Sequence, residues 1–117
     1  METKPASPGR NRRNAVRKRP RGSVRVQCRR GAYGLGPNVA VGLLDLSETG
    51  ARLVIKEPLE AKHEVEITLA GYGMSADLKL PGTIAWAVRL ENGHFAIGVN
   101  FQKRLRFCDV MQLTRSG

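Results

Sequence analysis

The chain has 117 residues, with 20 Lys and Arg against 10 Asp and Glu, which gives a formal net charge of +10. Hydrophobic residues make up 41% of the chain, so it can bury one modest core and is not a wholly disordered polyelectrolyte. Its longest nearly apolar run is too short to span a bilayer, which excludes a transmembrane helix.

The N-terminal segment, residues 1–22, is predicted to be a flexible basic arm. Five residues interrupt any regular structure there: Pro5, Pro8, Gly9, Pro20 and Gly22. Residues 1–30 carry eleven basic residues and one acid, whereas residues 31–117 carry nine of each. The whole charge imbalance therefore lies at one end, which indicates an anionic partner: a nucleic acid, a phosphate-bearing ligand or an acidic membrane.

Residues 23–117 are predicted to form a β-rich domain. Val24, Val26 and Cys28 alternate with polar residues, as in a half-buried strand, and a glycine-rich loop follows. The further predicted strands are 39–46, 50–55, 64–69, 74–80, 83–90 and 95–101, with turns at Pro81-Gly82 and Asn92-Gly93. Short strands at intervals of about ten residues favour an antiparallel barrel or sandwich, so the predicted class is all-β.

A single helix is predicted near the end of the chain, over residues 104–114. Apolar residues recur there at roughly helical spacing: Leu105, Phe107, Val110, Met111 and Leu113. The helix is expected to pack against the barrel.

Little in the sequence supports an enzyme. The glycines of Gly31–Gly36 match neither a P-loop nor a dinucleotide-binding motif, and no nucleophile elbow or HExxH occurs. Cys28, Cys108, His63 and His94 are isolated and show no zinc-ligand spacing, so neither a metal nor a cofactor is expected. Free thiols and the lack of a signal-peptide pattern predict a cytoplasmic location.

Arginine spacing in the arm is the first feature that points to a ligand. Arg13 and Arg17 form an RxxxR pattern, as do Arg17 and Arg21, and Arg12 precedes the first pair. Three intervening residues allow two guanidinium groups to enclose one compact anion. Each group offers a planar fork of donors that matches phosphate oxygens, or O6 and N7 of guanine. The spacing alone is also compatible with a solvated polybasic tail.

A second feature is Asp45-Leu-Ser47-Glu-Thr-Gly50, a DxSxxG pattern between two predicted strands. Alternation is expected to place Asp45 and Ser47 on one face and to point Leu44 and Leu46 into the core. A carboxylate can accept both the N1–H and the N2 amino hydrogen of guanine, and a hydroxyl can bind beside it. Gly50 permits a tight turn or the close approach of a ligand. The same pattern is also typical of an ordinary turn with side-chain caps.

Together, RxxxR in a flexible segment, then a strand, DxSxxG and a β-rich domain resemble the PilZ family of cyclic di-GMP receptors. The stretches 82–86 and 96–101 are similar to the late strands of that family. The resemblance extends over residues 12–114.

The resemblance implies a bacterial, cytoplasmic, six-stranded antiparallel barrel that binds cyclic di-GMP on its outer surface. The implied ligand contacts are Arg12, Arg13, Arg17, Arg21, Asp45, Ser47 and Gly50. The strand residues match the family pattern without ambiguity, whereas the arginines leave two registers open. We favour the register Arg13/Arg17 over Arg17/Arg21, because Arg12 gives the first pair the RRxxxR form. The arm is expected to order over one ligand or an intercalated pair and to change a surface read by a downstream protein in trans.

Two other functions are compatible with the composition. The first is a nucleic-acid-binding β-barrel with a basic arm. Only 5% of the residues are aromatic, however, and no strand shows the interleaved basic and aromatic residues of a base-stacking surface. The second is a PilZ-like barrel that binds only a protein partner, a function disfavoured by the presence of both motifs.

Overall fold

The computed structural model describes residues 17–22, 24–31, 35–71, 74 and 76–114. The elements are β1 (Arg25–Arg30), β2 (Ala40–Leu46), β3 (Gly50–Ile55), β4 (Glu64–Ala70), β5 (Leu78–Arg89), β6 (Phe95–Phe101) and α1 (Phe107–Leu113). All neighbouring strands are antiparallel, in the order β1-β4-β5-β6-β3-β2, and they form a nearly closed barrel. The predicted β-barrel with one C-terminal helix is confirmed.

The two edge strands, β1 and β2, meet at one end of the barrel. The Val39 amide donates to the carbonyl of Cys28 at 2.9 Å. The side-chain oxygen of Asn38 accepts the Cys28 amide at 2.9 Å and the Ala40 amide at 3.0 Å. One asparagine thus satisfies backbone donors of both edges, which closes the barrel where the ladder itself is missing.

The core follows from the alternation that the sequence shows. In β4, the side chains of Val65, Ile67 and Leu69 are fully buried, and α1 adds Val110 and Leu113. Full burial of one such side chain stabilises the fold by about 1.5–3 kcal/mol, so these positions hold the barrel together.

Strand β5 corrects the prediction of two strands separated by Pro81-Gly82. It runs unbroken from Leu78 to Arg89, pairing first with β4 and then with β6. The Pro81 carbonyl accepts the Gln102 amide at 2.9 Å, just before the β6 ladder begins. Because the N–H and C=O of a strand residue point to the same side, the donor that proline lacks falls where no ladder bond is needed. At Gly82, a Cβ would overlap the carbonyl of Asn100, so glycine allows β6 to approach.

The helix is shorter than predicted. The segment before it is extended, because the Leu105 amide donates to the Glu48 carbonyl at 2.7 Å and ties that residue to the turn between β2 and β3. Phe107 and Met111, which were expected to belong to the helical stripe, are exposed on the outer side of α1. The predicted Asn92-Gly93 hairpin is confirmed, with Gly93 at a φ of 90°.

Candidate functional site

Four residues on four neighbouring strands lie in register on the outside of the barrel. Asp45 of β2 pairs with Arg52 of β3, Arg52 with Gly98 of β6, and Gly98 with Trp86 of β5. Strands lie about 4.8 Å apart, so this outer row spans about 14 Å. It joins the carboxylate of the DxSxxG motif to the one tryptophan of the chain.

Both ends of the outer row lie at β-bulges. The register shifts between Leu43 and Asp45 in β2 and between Ile84 and Trp86 in β5. A bulge places two residues opposite one and redirects their side chains, and bulges are common beside functional sites. The β2 bulge also corrects the expectation for Leu44, which is 48% exposed, whereas Leu46 is buried as predicted. Simple alternation fails there because the bulge inserts one residue.

The carboxylate of Asp45 is held by two arginines. The Arg17 Nη1 donates to Oδ1 at 3.1 Å. The Arg52 Nε donates to Oδ2 at 2.6 Å, and the Nη2 of the same residue contacts that oxygen. The Asp45 side chain is only 9% exposed, while the two arginine side chains are nearly half-exposed. Two cations therefore share one anion at a surface open to solvent, which leaves positive charge for an anionic ligand.

The position of Arg17 follows from backbone pairing. Lys18 and Leu46 form an isolated antiparallel bridge, with reciprocal amide-to-carbonyl hydrogen bonds of 2.8 and 2.9 Å. Antiparallel pairing of Lys18 with Leu46 sets Arg17 across from Ser47, so the long Arg17 side chain reaches Asp45 diagonally. Farther along, Pro20 bridges Thr114, and the Arg21 amide donates to the Leu113 carbonyl at 2.9 Å. The end of the predicted arm is thus attached to the edge of β2 and to the end of α1.

Ser47 caps the turn between β2 and β3. Its side-chain oxygen accepts the amides of Thr49 and Gly50, each at 3.2 Å, and the residue is almost fully buried. Ser47 therefore acts as the side-chain cap of a turn, one of the two interpretations of the DxSxxG pattern. Contact between Ser47 and a ligand stays a prediction. The fold itself requires glycine at position 50, because a Cβ there would overlap the carbonyl of Val99 on β6.

The predicted ligand-binding arginines differ in their positions relative to Asp45. Arg17 contacts Asp45, whereas the side chain of Arg21 is exposed and its backbone amide binds the end of α1. Arg12 and Arg13 lie outside the described residues. The choice between the two RxxxR registers therefore stays open, with Arg17 common to both.

Sequence reasoning missed two members of the outer row, Trp86 and Arg52. Trp86 is 37% exposed and its indole lies against Gly98, where a Cβ would overlap the ring. Arg52 lies two residues after Gly50, the last residue of the DxSxxG motif, and belongs to neither pattern. A signal was present for the tryptophan, since a glycine paired across strands with an aromatic residue often provides space for a ring. Recognising it requires the register of β5 and β6.

Other features of the described chain lie apart from the outer row. A cavity of about 420 Å³ opens between β1 and β2, with Gln27, Asn38 and Thr68 in its lining. None of the predicted site residues lines it. In the part of the chain that the structure describes, no helix is long and apolar enough to cross a membrane.

Comparison with known proteins adds one result. The family model described as PilZ domain matches residues 11–116, nearly the whole chain. A search of curated proteins finds no match. The family match includes the described end of the arm, the turn with Ser47 and all four residues of the outer row.

Proposed function

The chain belongs to the PilZ domain family, and from this membership we propose that it is a cyclic di-GMP receptor with no catalysis of its own. The observation that carries the proposal is the contact between Arg17 of the RxxxR pattern and Asp45 of the DxSxxG pattern. Arg17 and Asp45 are 28 residues apart in the chain, and the fold brings them together on the outer surface.

The chemistry of the outer row suits a guanine base. The carboxylate of Asp45 can accept N1–H and N2–H of guanine, donors that the purine edge of adenine does not offer in that form. In the proposed complex, the base takes the place of Arg17 at Oδ1. The exposed indole of Trp86 supplies a surface on which a purine can stack, an interaction worth about 1–3 kcal/mol per base.

The released Arg17 then has a second partner in the ligand. Its guanidinium fork matches phosphate oxygens, and a charge-assisted hydrogen bond contributes about 1.5–3 kcal/mol. Because the outer row is an open surface, the arm has to cover the bound ligand. Ordering such a segment costs about 2–5 kcal/mol, which several hydrogen bonds of this kind offset.

The output in this proposal is a changed surface. The N-terminal 30 residues carry a net charge of +10, which attracts a dianionic ligand and is partly neutralised when the ligand binds. The arm, once ordered on the barrel, presents a surface for a downstream protein that binds in trans. Action in the bacterial cytoplasm is part of the same proposal.

The test is calorimetric titration of the full chain with cyclic di-GMP, GTP and a short single-stranded RNA. We expect saturable binding of cyclic di-GMP, no measurable binding after Arg17→Ala, and an unchanged circular dichroism spectrum. Arg106→Ala is the matched control, because it removes the same charge from an exposed arginine at the start of α1, away from the outer row.

Salt dependence separates this function from nucleic-acid binding. A ligand with two phosphates gives a shallow dependence of affinity on salt, whereas an RNA held through many phosphates gives a steep one. Preferred binding of RNA with a steep salt slope, or cyclic di-GMP affinity that Arg17→Ala leaves unchanged, would overturn the proposal.

A further inference from the structure

Arg52 occupies the centre of the outer row without belonging to either sequence pattern. It lies on β3 between Asp45 on one side and Gly98 on the other. The indole of Trp86 packs against Gly98. The Nε and Nη2 of Arg52 both contact Oδ2 of Asp45. The hydrogen bond to Asp45, and after it the negative charge of that carboxylate, raise the pKa of Arg52 above its usual value. Arg52 therefore keeps its charge and all its donors.

The acceptor capacity of Asp45 leaves room for a base beside Arg52. A carboxylate offers about four lone-pair sites, and Arg52 uses two of them at Oδ2. Arg17 uses one at Oδ1. Once Arg17 is released, two sites remain, which equals the number of donors that N1–H and N2–H of one guanine present.

The donors of Arg52 complement the next atom on the guanine edge. In guanine, O6 is an acceptor that directly neighbours N1–H. A base that turns N1–H and N2–H toward Asp45 therefore directs O6 to one side of the carboxylate. A guanidinium has five N–H donors, so with two on Asp45 three remain on Arg52, whose side chain is 44% exposed. Adenine presents an amino group at this position, and a donor would then face a donor.

We propose that Arg52 is a specificity-determining residue, which donates to O6 of the guanine held by Asp45 and by the same contact disfavours adenine. The inference rests on the proposed function, since it names the part of the ligand that this residue recognises. Arginine is the side chain that most often recognises the O6 edge of guanine, and a good pairing discriminates by about 5- to 150-fold.

The experiment compares two ligands that differ only at that atom: cyclic di-GMP and its analogue with 6-thioguanine in both bases. Both keep N1–H and N2–H for Asp45, but sulfur is a weak acceptor. The full chain is titrated as wild type, Arg52→Gln and Arg52→Lys. Arg106→Gln is the matched control, because it removes an exposed arginine paired with Asp109 on α1.

We expect the wild type and Arg106→Gln to bind the oxygen ligand at least tenfold more tightly than the sulfur ligand. In Arg52→Gln, the difference should fall below threefold, because cyclic di-GMP loses affinity and the sulfur analogue does not. Arg52→Lys keeps the charge without the planar fork and should give an intermediate ratio. Thermal unfolding of each variant checks that the fold is retained.

Two results would overturn the inference while the proposed function survives. Either Arg52→Gln binds cyclic di-GMP as the wild type does, or it weakens both ligands by the same factor, as a residue that only positions Asp45 would do. Failure of the wild type to bind cyclic di-GMP is a different result, which overturns the proposed function itself.

Discussion

Two adjacent rows of residues on the same four strands have opposite properties. The outer row consists of Asp45, Arg52, Gly98 and Trp86, and it is charged, partly exposed and bounded by bulges. The inner row is the next set of cross-strand pairs on these strands. It consists of Leu46, Ala51, Val99 and Ile84. Each of these four is at most 2% exposed.

The difference shows how a thin sheet can separate stability from recognition. Side chains of successive strand residues point to opposite faces, so the backbone that buries Leu46 also directs Asp45 outward. Substitutions in the inner row should therefore change the free energy of unfolding, and substitutions in the outer row should change ligand affinity. Each of the following predictions tests one side of this separation.

The largest expected effect is in the inner row. Leu46→Ala removes a fully buried side chain, which should lower the free energy of unfolding by about 2–5 kcal/mol in urea denaturation. Leu44→Ala is the matched control, because the same atoms are removed from a residue that the bulge exposes, and it should cost less than about 0.5 kcal/mol. Equal losses in the two variants would show that the bulge does not expose Leu44.

The next effect is in the outer row. Asp45→Asn keeps the size of the side chain but replaces one acceptor oxygen with a donor, so cyclic di-GMP affinity should fall about a hundredfold, or about 2.7 kcal/mol. Its stability should change by less than about 1 kcal/mol, because both arginine partners are nearly half-exposed. Asp109→Asn breaks a comparable pair with Arg106 and should leave affinity unchanged. Calorimetry with cyclic di-GMP measures both, and retained affinity in Asp45→Asn would contradict the assignment.

A smaller effect is expected at the other end of the outer row. Trp86→Leu should weaken cyclic di-GMP about tenfold, or about 1.4 kcal/mol, because one stacking surface is lost. Val88→Ala, two residues farther along β5 and more exposed, should change affinity by less than about twofold. If the two variants bind cyclic di-GMP with the same affinity, Trp86 does not stack on either base of the ligand.

The last effect concerns the interior and appears only at high pH. Burial raises the pKa of the Cys28 thiol from 9.0 to about 12. The folded chain thus keeps this proton in a range where the unfolded chain loses it. Stability should be unaffected below pH 9 and should fall between pH 9 and 12 by up to about 1.4 kcal/mol per pH unit.

Comparison of variants isolates this contribution. Cys28→Ala removes the titrating thiol and should show a shallower loss of stability above pH 9 than the wild type. Cys108→Ala, which removes an exposed thiol, should follow the wild-type slope. Parallel curves for all three proteins in chemical denaturation would show that Cys28 does not titrate with folding.

Much of the barrel could be predicted from local sequence, because alternation in β4 and the Asn92-Gly93 turn depend on residues close in the chain. The continuity of β5 through Pro81 could not, since it depends on which neighbour each half of that strand pairs with. The orientation of Leu44 depends on a bulge, and a bulge is defined by the partner strand. Local patterns do not contain this information.

The same reasoning separates the parts of the candidate site. Asp45 and Arg17 could be selected from their motifs, and the structure places them in contact. Arg52 and Trp86 join the site only through cross-strand register, which assembles residues from distant parts of the chain. The roles of Arg12 and Arg13 remain predictions from the RxxxR spacing.

The most direct test of ligand binding at the outer row uses the fluorescence of Trp86, the one tryptophan in the chain. Titration of the full chain with cyclic di-GMP should change its emission saturably, with the same midpoint as calorimetry. Asp45→Asn should shift that midpoint to much higher ligand concentration. Calorimetric binding of cyclic di-GMP with no change in Trp86 emission, or with a midpoint that Asp45→Asn does not move, would contradict the location of the site.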